Sequence, residues 1–95
     1  MANSILQAEK VCYITGSINN IHKHHIYFGS ANRKISEDNG FWIYLQGCWH
    51  NQSEFGVHGK YGHALDIQLK QMCQAEYEKT HSREEFIKLI GRNYL

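Results

Sequence analysis

The sequence predicts an α+β fold, because short β-prone apolar segments occupy its first half and helical periodicity occupies its last third. The segments of the first kind are VCYI at 11–14, IHKHHIYF at 21–28 and FWIYL at 41–45. Stretches rich in glycine and asparagine separate them, which is typical of turns and loops. A chain of 95 residues has room for one modest core, so we expect a single domain over residues 1–95.

The first predicted element is a β-hairpin over roughly residues 10–28. VCYI is followed by GSINN, which has the Gly, Ser and Asn of a tight turn, and then by IHKHHIYF. Because successive side chains of a strand point to opposite faces, His24 and His25 should separate across the two faces of the second strand. These adjacent histidines therefore need not share one role.

The rest of the chain predicts a loop, a third apolar segment and two helices. The polar stretch 29–40 has the composition of a loop, and Phe41–Leu45 follows as a short apolar segment. Farther along, apolar residues recur at the spacing of an amphipathic helix: Leu65, Leu69, Met72, Cys73 and Tyr77. Ser82 and Glu85 match a capping box, and Gly91 matches a C-terminal cap. We therefore expect the C-terminal third to be a helical hairpin.

Composition and charge exclude several classes of protein. Ten Lys and Arg against nine Asp and Glu leave a formal charge of +1, too balanced for a protein that coats nucleic acid by charge alone. No run approaches the roughly 20 apolar residues of a membrane span, so no membrane association is expected. The start MANSILQAEK lacks a signal-peptide pattern, which predicts a cytoplasmic protein. The cysteines Cys12, Cys48 and Cys73 are expected to be reduced, with Cys73 buried on the helix stripe.

Histidines carry the strongest chemical signal. His24 and His25 lie together in the second predicted strand, and His50 and His58 lie in the irregular stretch QGCWHNQSEFGVHGKYG. A metal site needs ligands from separate segments, and a free imidazole beside a bound divalent ion can act as a general base. From the residues alone, a polar turn remains an alternative. The other histidines are expected at the surface or in a loop: His22, His63 and His81.

These features resemble the HNH, or ββα-metal, endonucleases, in particular small phage and prophage HNH-like proteins that carry HKHHIYFGSANRK, an apolar strand, GVH and a helical end close to EEFIKLIGRNYL. The resemblance implies a ββα-metal hairpin and loop core followed by a C-terminal helical hairpin. It implies one divalent ion, Mg²⁺, Mn²⁺, Ni²⁺ or Zn²⁺, with ligands His24, His50 and, as a possible third, His58. By the same resemblance His25 is the general base, and Asn39 orients the loop of that base.

One feature of such relatives is missing here. They usually carry a structural zinc knuckle, in which a CxxC in the first turn pairs with a second Cys and a Cys or His near the HHN segment. Of these four positions only Cys12 keeps a thiol, and Cys48 is displaced by two positions; the others are Thr15, Gln46 and Trp49. We expect no structural zinc, because hydroxyl, amide and indole groups are poor ligands for it. Large aromatic residues should replace it by burial: Phe41, Trp42, Trp49 and Tyr94.

Two functions from different classes follow. The first is a metal-dependent HNH-type DNA endonuclease or nickase that hydrolyses phosphodiester bonds. Lys23, Arg33 and Lys34 border the histidines as candidate phosphate contacts, although solvated surface charges are the commoner explanation for such residues. The second is a catalytically inactive HNH-derived binding protein, such as a phage inhibitor of a host defence nuclease, of the anti-CRISPR kind. The small size of the chain makes a homodimer plausible for either function.

Overall fold

Two strands that are separated in sequence by a helix form the sheet of this protein. The computed structural model describes residues 2–95 and has an α+β architecture, with one antiparallel two-stranded sheet and four helices across that range. In chain order the elements are β1 (Ile21–His25), α1 (Asn32–Asn39), β2 (Trp42–Gln46), α2 (Gly47–His50), α3 (His63–Tyr77) and α4 (Arg83–Ile90).

The predicted hairpin over residues 10–28 is wrong, because β1 pairs with β2 instead of with the earlier apolar segment. In the observed register His22 lies opposite Leu45 and His24 lies opposite Ile43. Ile43 and Leu45 are fully buried, so the same face of β1 that carries His22 and His24 turns toward the core. The third apolar segment of the sequence is therefore the true partner of the histidine strand.

The segment before β1 lies along the outer edge of β2 without forming a strand. The Tyr13 backbone N–H donates to the Tyr44 carbonyl at 2.8 Å, and the Ile5 N–H donates to the Gly40 carbonyl at 3.0 Å. Between them, Gln7 Oε1 accepts from the Tyr44 N–H at 2.6 Å. The chain after Cys12 then turns, so these contacts stay isolated and never build a ladder. These single hydrogen bonds nevertheless pair backbone groups on the outer edge of β2, which would otherwise be open to strands of other chains.

The predicted loop 29–40 contains helix α1. This helix ends at Gly40, which adopts a left-handed φ of 75° and donates its N–H to the Ser36 carbonyl. Its buried residue is Ser36, whose Oγ donates to the Tyr27 carbonyl at 2.6 Å and accepts the Tyr27 N–H at 3.2 Å. Ile35 is the one apolar residue of α1, and the polar composition of the rest explains why the sequence pattern predicted a loop.

Aromatic rings fill the centre of the core. The Tyr27 ring lies 5.5 Å from Phe41 and 5.4 Å from Phe86, centroid to centroid, and all three side chains are buried. Of the aromatic residues expected to replace a zinc knuckle, Phe41 is at the centre, and Trp49 and Tyr94 pack against this cluster while partly buried. Trp42 is only half-buried and stands on the other face of β2.

The C-terminal third is a helical hairpin, as predicted. Ser82 accepts from the Glu85 N–H while the Glu85 side chain accepts from the Ser82 N–H, so the capping box is complete, and Gly91 takes the left-handed conformation that ends α4. On α3 the predicted stripe is buried at Cys73, but Met72 is 39% exposed and does not belong to the core. Among the described helices, none is long and apolar enough to cross a membrane.

Candidate metal centre

Three histidines that are distant in sequence come together at one end of the sheet. His24 comes from β1, His50 is the last residue of α2, and His58 lies in the loop between α2 and α3. One ring nitrogen of each lies within 4.8 Å of one ring nitrogen of the other two. The ring centroids are 5.2 Å apart for His24 and His50, 5.1 Å for His24 and His58, and 4.9 Å for His50 and His58. These three side chains could hold a metal ion.

The backbone places the third histidine beside the second. The loop after α2 folds back on that helix, so that the Val57 N–H donates to the Trp49 carbonyl at 2.9 Å and the His58 N–H donates to the His50 carbonyl at 3.0 Å. His24 reaches the same point because it occupies a core-facing position of β1. Three local structures therefore meet, and no single sequence segment contains the cluster.

Burial keeps two of the three histidines, His24 and His50, in the neutral form that binds metals. Burial, followed by the neighbouring His50 and His58, lowers the pKa of His24 to about 3. Burial, followed by His58 and His22, lowers the pKa of His50 to about 4. His24 is 1% exposed, and its Nε2 has no hydrogen-bond partner within residues 2–95. A buried nitrogen without a partner among neutral imidazoles fits a divalent ion, because coordination would satisfy it.

A cavity of about 470 Å³ opens over the cluster, and His25 and Arg33 line its other side. His25 Nε2 lies 2.8 Å from Glu37 Oε1, and Lys23 Nζ lies 2.8 Å from Glu37 Oε2. The hydrogen bonds from Lys23 and then from His25 hold the pKa of Glu37 below its usual range. The carboxylate therefore accepts the Nε2–H of His25, and in the neutral tautomer that makes this contact Nδ1 carries the lone pair. The sequence analysis missed Glu37, whose polar helix carried no recognisable motif.

The structure does not bring Asn39 to this site. Its Nδ2 donates to the Ile35 carbonyl at 2.8 Å within α1, and its side chain borders a separate cavity beside Tyr77. Asn39 was expected to orient the loop of His25, but the residue that contacts His25 is Glu37. Residues two apart on a helix point about 200° away from each other, so Glu37 faces the strand and Asn39 faces away.

The candidate phosphate contacts differ in whether a carboxylate already pairs with them. Lys23 is paired with Glu37, and its Nζ lies 4.1 Å from the centre of the Trp42 ring. Lys34 is largely exposed and pairs with Asp38 at 3.0 Å, next to the cavity rather than inside it. Arg33 lines the cavity over the histidines, and within the described part of the chain it has no carboxylate partner. Arg33 is therefore the cation best placed to meet a bound anion.

His22 contacts the cluster through His50, although it was expected to be a surface residue. Its Nδ1 lies 3.1 Å from His50 Nδ1, and the two rings are 5.3 Å apart. Strand alternation could have indicated this contact, since residues 22 and 24 share one face. His63 and His81 are exposed as expected, and His81 stacks on Tyr77 with ring centroids 4.1 Å apart.

The turn in which the resemblance implied a zinc knuckle surrounds a single thiol, Cys12. Burial raises the pKa of the Cys12 thiol, but hydrogen bonds from the Thr15 side chain and from the backbones of Gln46, Thr15 and Ile14 outweigh it and bring the pKa below its ordinary value. Cys12 and Cys73 are buried and Cys48 is exposed, and all three thiols are free. That no structural zinc binds at these positions stays a prediction.

No protein-family model matches the chain, and no curated protein or solved structure matches it either. Function is therefore inferred from the arrangement of the cavity: three imidazoles that could hold a metal ion, a fourth imidazole paired with a carboxylate, and an arginine.

Proposed function

We propose that this protein is a metal-dependent HNH-type endonuclease that hydrolyses phosphodiester bonds in DNA. One observation carries the proposal: the three-histidine cluster and His25, which is paired with Glu37, line a single open cavity. Hydrolysis needs ligands for a cation and a separate base within reach of one substrate, and this cavity offers both. The chain order of β1, β2 and α2, with histidines on the first strand and at the helix end, supports the resemblance to a ββα-metal core.

His24, His50 and His58 would hold one divalent ion. Three imidazoles suit Zn²⁺ or Ni²⁺ better than Mg²⁺ or Mn²⁺, which prefer oxygen ligands. When bound, such an ion stabilises the charge that develops on the phosphate and on the leaving oxygen. His58 is exposed while His24 is fully buried, so the cluster faces solvent on one side and can admit a substrate there.

His25 would act as the general base through Nδ1. It takes a proton from the attacking water, whose oxygen forms the new bond to phosphorus while the bond to the leaving sugar oxygen breaks. The resulting imidazolium keeps its Nε2–H on Glu37, and the carboxylate stabilises that positive charge. Lys23 holds the other oxygen of Glu37, so that the carboxylate cannot turn away from His25. Arg33, which lines the cavity, would contact a non-bridging phosphate oxygen.

Two measurements on untagged protein test the proposal, after the protein has been stripped of metal by a chelator. The first is calorimetric titration with Zn²⁺, Ni²⁺, Mn²⁺ and Mg²⁺. The second is cleavage of supercoiled plasmid and of single-stranded DNA. His25→Ala should leave metal affinity nearly unchanged and lower cleavage by about 10²- to 10⁴-fold, the range typical of a lost general base. His58→Ala should weaken metal binding itself. His63→Ala, an exposed histidine outside the cavity, is the matched control and should change neither.

Absence of both metal binding and cleavage would overturn the proposal. Stoichiometric metal binding without cleavage of any DNA would favour the second function, a catalytically inactive binding protein directed at a host defence nuclease. One surface feature favours that alternative: Phe55 and Tyr61 are 64% and 57% exposed and stack on each other with ring centroids 5.4 Å apart. Exposed aromatic rings of this kind are enriched where proteins bind partners.

A further inference from the structure

We infer that His22 is a positioning residue that holds the proton of His50 on Nδ1, so that His50 offers Nε2 as its ligand nitrogen. The inference rests on the metal site of the proposed function, but it concerns protons of the protein and can be tested without metal. It gives a role to the histidine that lies outside the three-histidine cluster and contacts it directly.

A chain of three polar contacts ends at His50. His22 Nδ1 lies 3.1 Å from His50 Nδ1, and His22 Nε2 lies 3.3 Å from Asn20 Oδ1. On the far side, Asn20 Nδ2 donates to Gln52 Oε1 at 2.6 Å. Both ring nitrogens of His22 therefore have a partner, and one of the two ring nitrogens of His50 is committed to this chain.

The amide of Asn20 decides where the protons lie. Its oxygen can only accept, so His22 must carry a proton on Nε2 to make a favourable contact, and neutral His22 then has a lone pair on Nδ1. The proton between the rings must consequently come from His50 Nδ1. In the opposite arrangement, His22 Nε2 and Asn20 Oδ1 would face each other with two lone pairs. His50 would also carry its proton on Nε2, which cannot bind a metal in that form.

The surrounding backbone fixes where the Asn20 side chain lies. Asn20 adopts a left-handed φ of 51°, and its carbonyl accepts the Gly47 N–H at 2.9 Å. A side chain at Gly47 would collide with the Asn20 and Gln52 amides, so glycine leaves the space in which these two groups meet. Gly47 is the first residue of α2 and His50 is its last. The glycine that makes room for the two amides and the candidate ligand His50 therefore belong to the same short helix. Partners of this kind behind a metal-binding histidine orient the ring and set its tautomer.

The direct test is a long-range ¹H–¹⁵N NMR spectrum of the metal-free wild-type protein at about pH 7.5, where an imidazole with an ordinary pKa is neutral. We expect the His50 ring to be protonated at Nδ1 and unprotonated at Nε2, with His22 protonated at Nε2. A His50 ring that is protonated mainly at Nε2 would overturn the inference, whatever the metal does. This measurement needs no variant and therefore does not depend on whether a variant folds.

Two variants connect the tautomer to metal affinity. His22→Leu removes the acceptor, so the His50 ring should populate both tautomers and affinity for Zn²⁺ should fall by about 10- to 100-fold. His22→Asn places an acceptor oxygen where Nδ1 was, and should restore both the Nδ1–H tautomer and affinity to within about threefold of wild type. His63→Leu is the control at an exposed histidine. If His22→Leu leaves the tautomer and the affinity unchanged, the inference fails. If the wild type binds no metal, the proposed function fails, and the NMR spectrum still decides the role of His22.

Discussion

His24→Leu should leave the metal-free protein about as stable as the wild type, or more stable, while it removes a candidate metal ligand. His24 is 1% exposed and its Nε2 has no hydrogen-bond partner within residues 2–95, and an unsatisfied buried polar atom costs about 1–3 kcal/mol. Leucine has a similar volume and no polar atom, and repacking costs of such exchanges stay below about 1.5 kcal/mol. The expected change near neutral pH therefore lies between a loss of about 0.5 kcal/mol and a gain of about 3 kcal/mol for the variant.

The stability difference should grow in acid. The pKa of His24 is about 3 in the folded protein, because of burial and then the neighbouring His50 and His58, against an ordinary value of 6.5. Between these two values the unfolded chain binds more protons than the folded one, so the wild type loses stability as pH falls through this window. From that difference in pKa, His24 alone costs the wild type about 2 kcal/mol at pH 5. His24→Leu lacks this loss, whereas the contribution of His50 remains in both proteins.

Urea unfolding followed by tryptophan fluorescence, in chelator at about pH 7 and about pH 5, measures both effects. Adding Zn²⁺ at about 100 times its Kd should stabilise the wild type by about 2.7 kcal/mol and the variant far less. Ser36→Ala is the matched control, because Ser36 is equally buried but makes two hydrogen bonds with Tyr27. It should destabilise the protein by about 1–3 kcal/mol at both pH values. The reasoning would be refuted if His24→Leu lowered the free energy of unfolding by more than about 1 kcal/mol near pH 7. It would also be refuted if the stability difference from the wild type were the same at both pH values.

Three further predictions concern stability and can be checked by thermal or urea unfolding. Gly40→Ala should cost more than Gly91→Ala, because both glycines have a left-handed φ but only at Gly40 would the new Cβ collide with the backbone of Asn3; equal losses would contradict this. Ser82→Ala should cost about 1 kcal/mol and speed amide exchange in the first turn of α4, and unchanged exchange would count against the capping box. Tyr27→Phe should cost about 1–2 kcal/mol, since the buried hydroxyl donates to a backbone carbonyl of α3 at 2.6 Å; a neutral result would show that this bond is replaceable.

The sequence by itself determined those parts of the protein that depend on neighbours along the chain. The helical hairpin is one such part, since the capping box of Ser82 and Glu85 and the left-handed Gly91 act within a single turn. The α+β class followed from periodicity, which is also a local property. Strand alternation correctly separated His24 from His25, which face the three-histidine cluster and Glu37 respectively.

Only the tertiary structure decided which segments meet. The histidine strand had two apolar candidates for pairing, and it pairs with Trp42–Gln46 because Ile43 and Leu45 cover the core there. Helix α1 could not be recognised because it is polar, and so the partner of His25 could not be identified as Glu37. The contact of His22 with His50 depends in the same way on the path of the chain between them. A strand pairing or a convergent site gains its free energy from residues far apart in sequence, and short-range patterns do not contain that information.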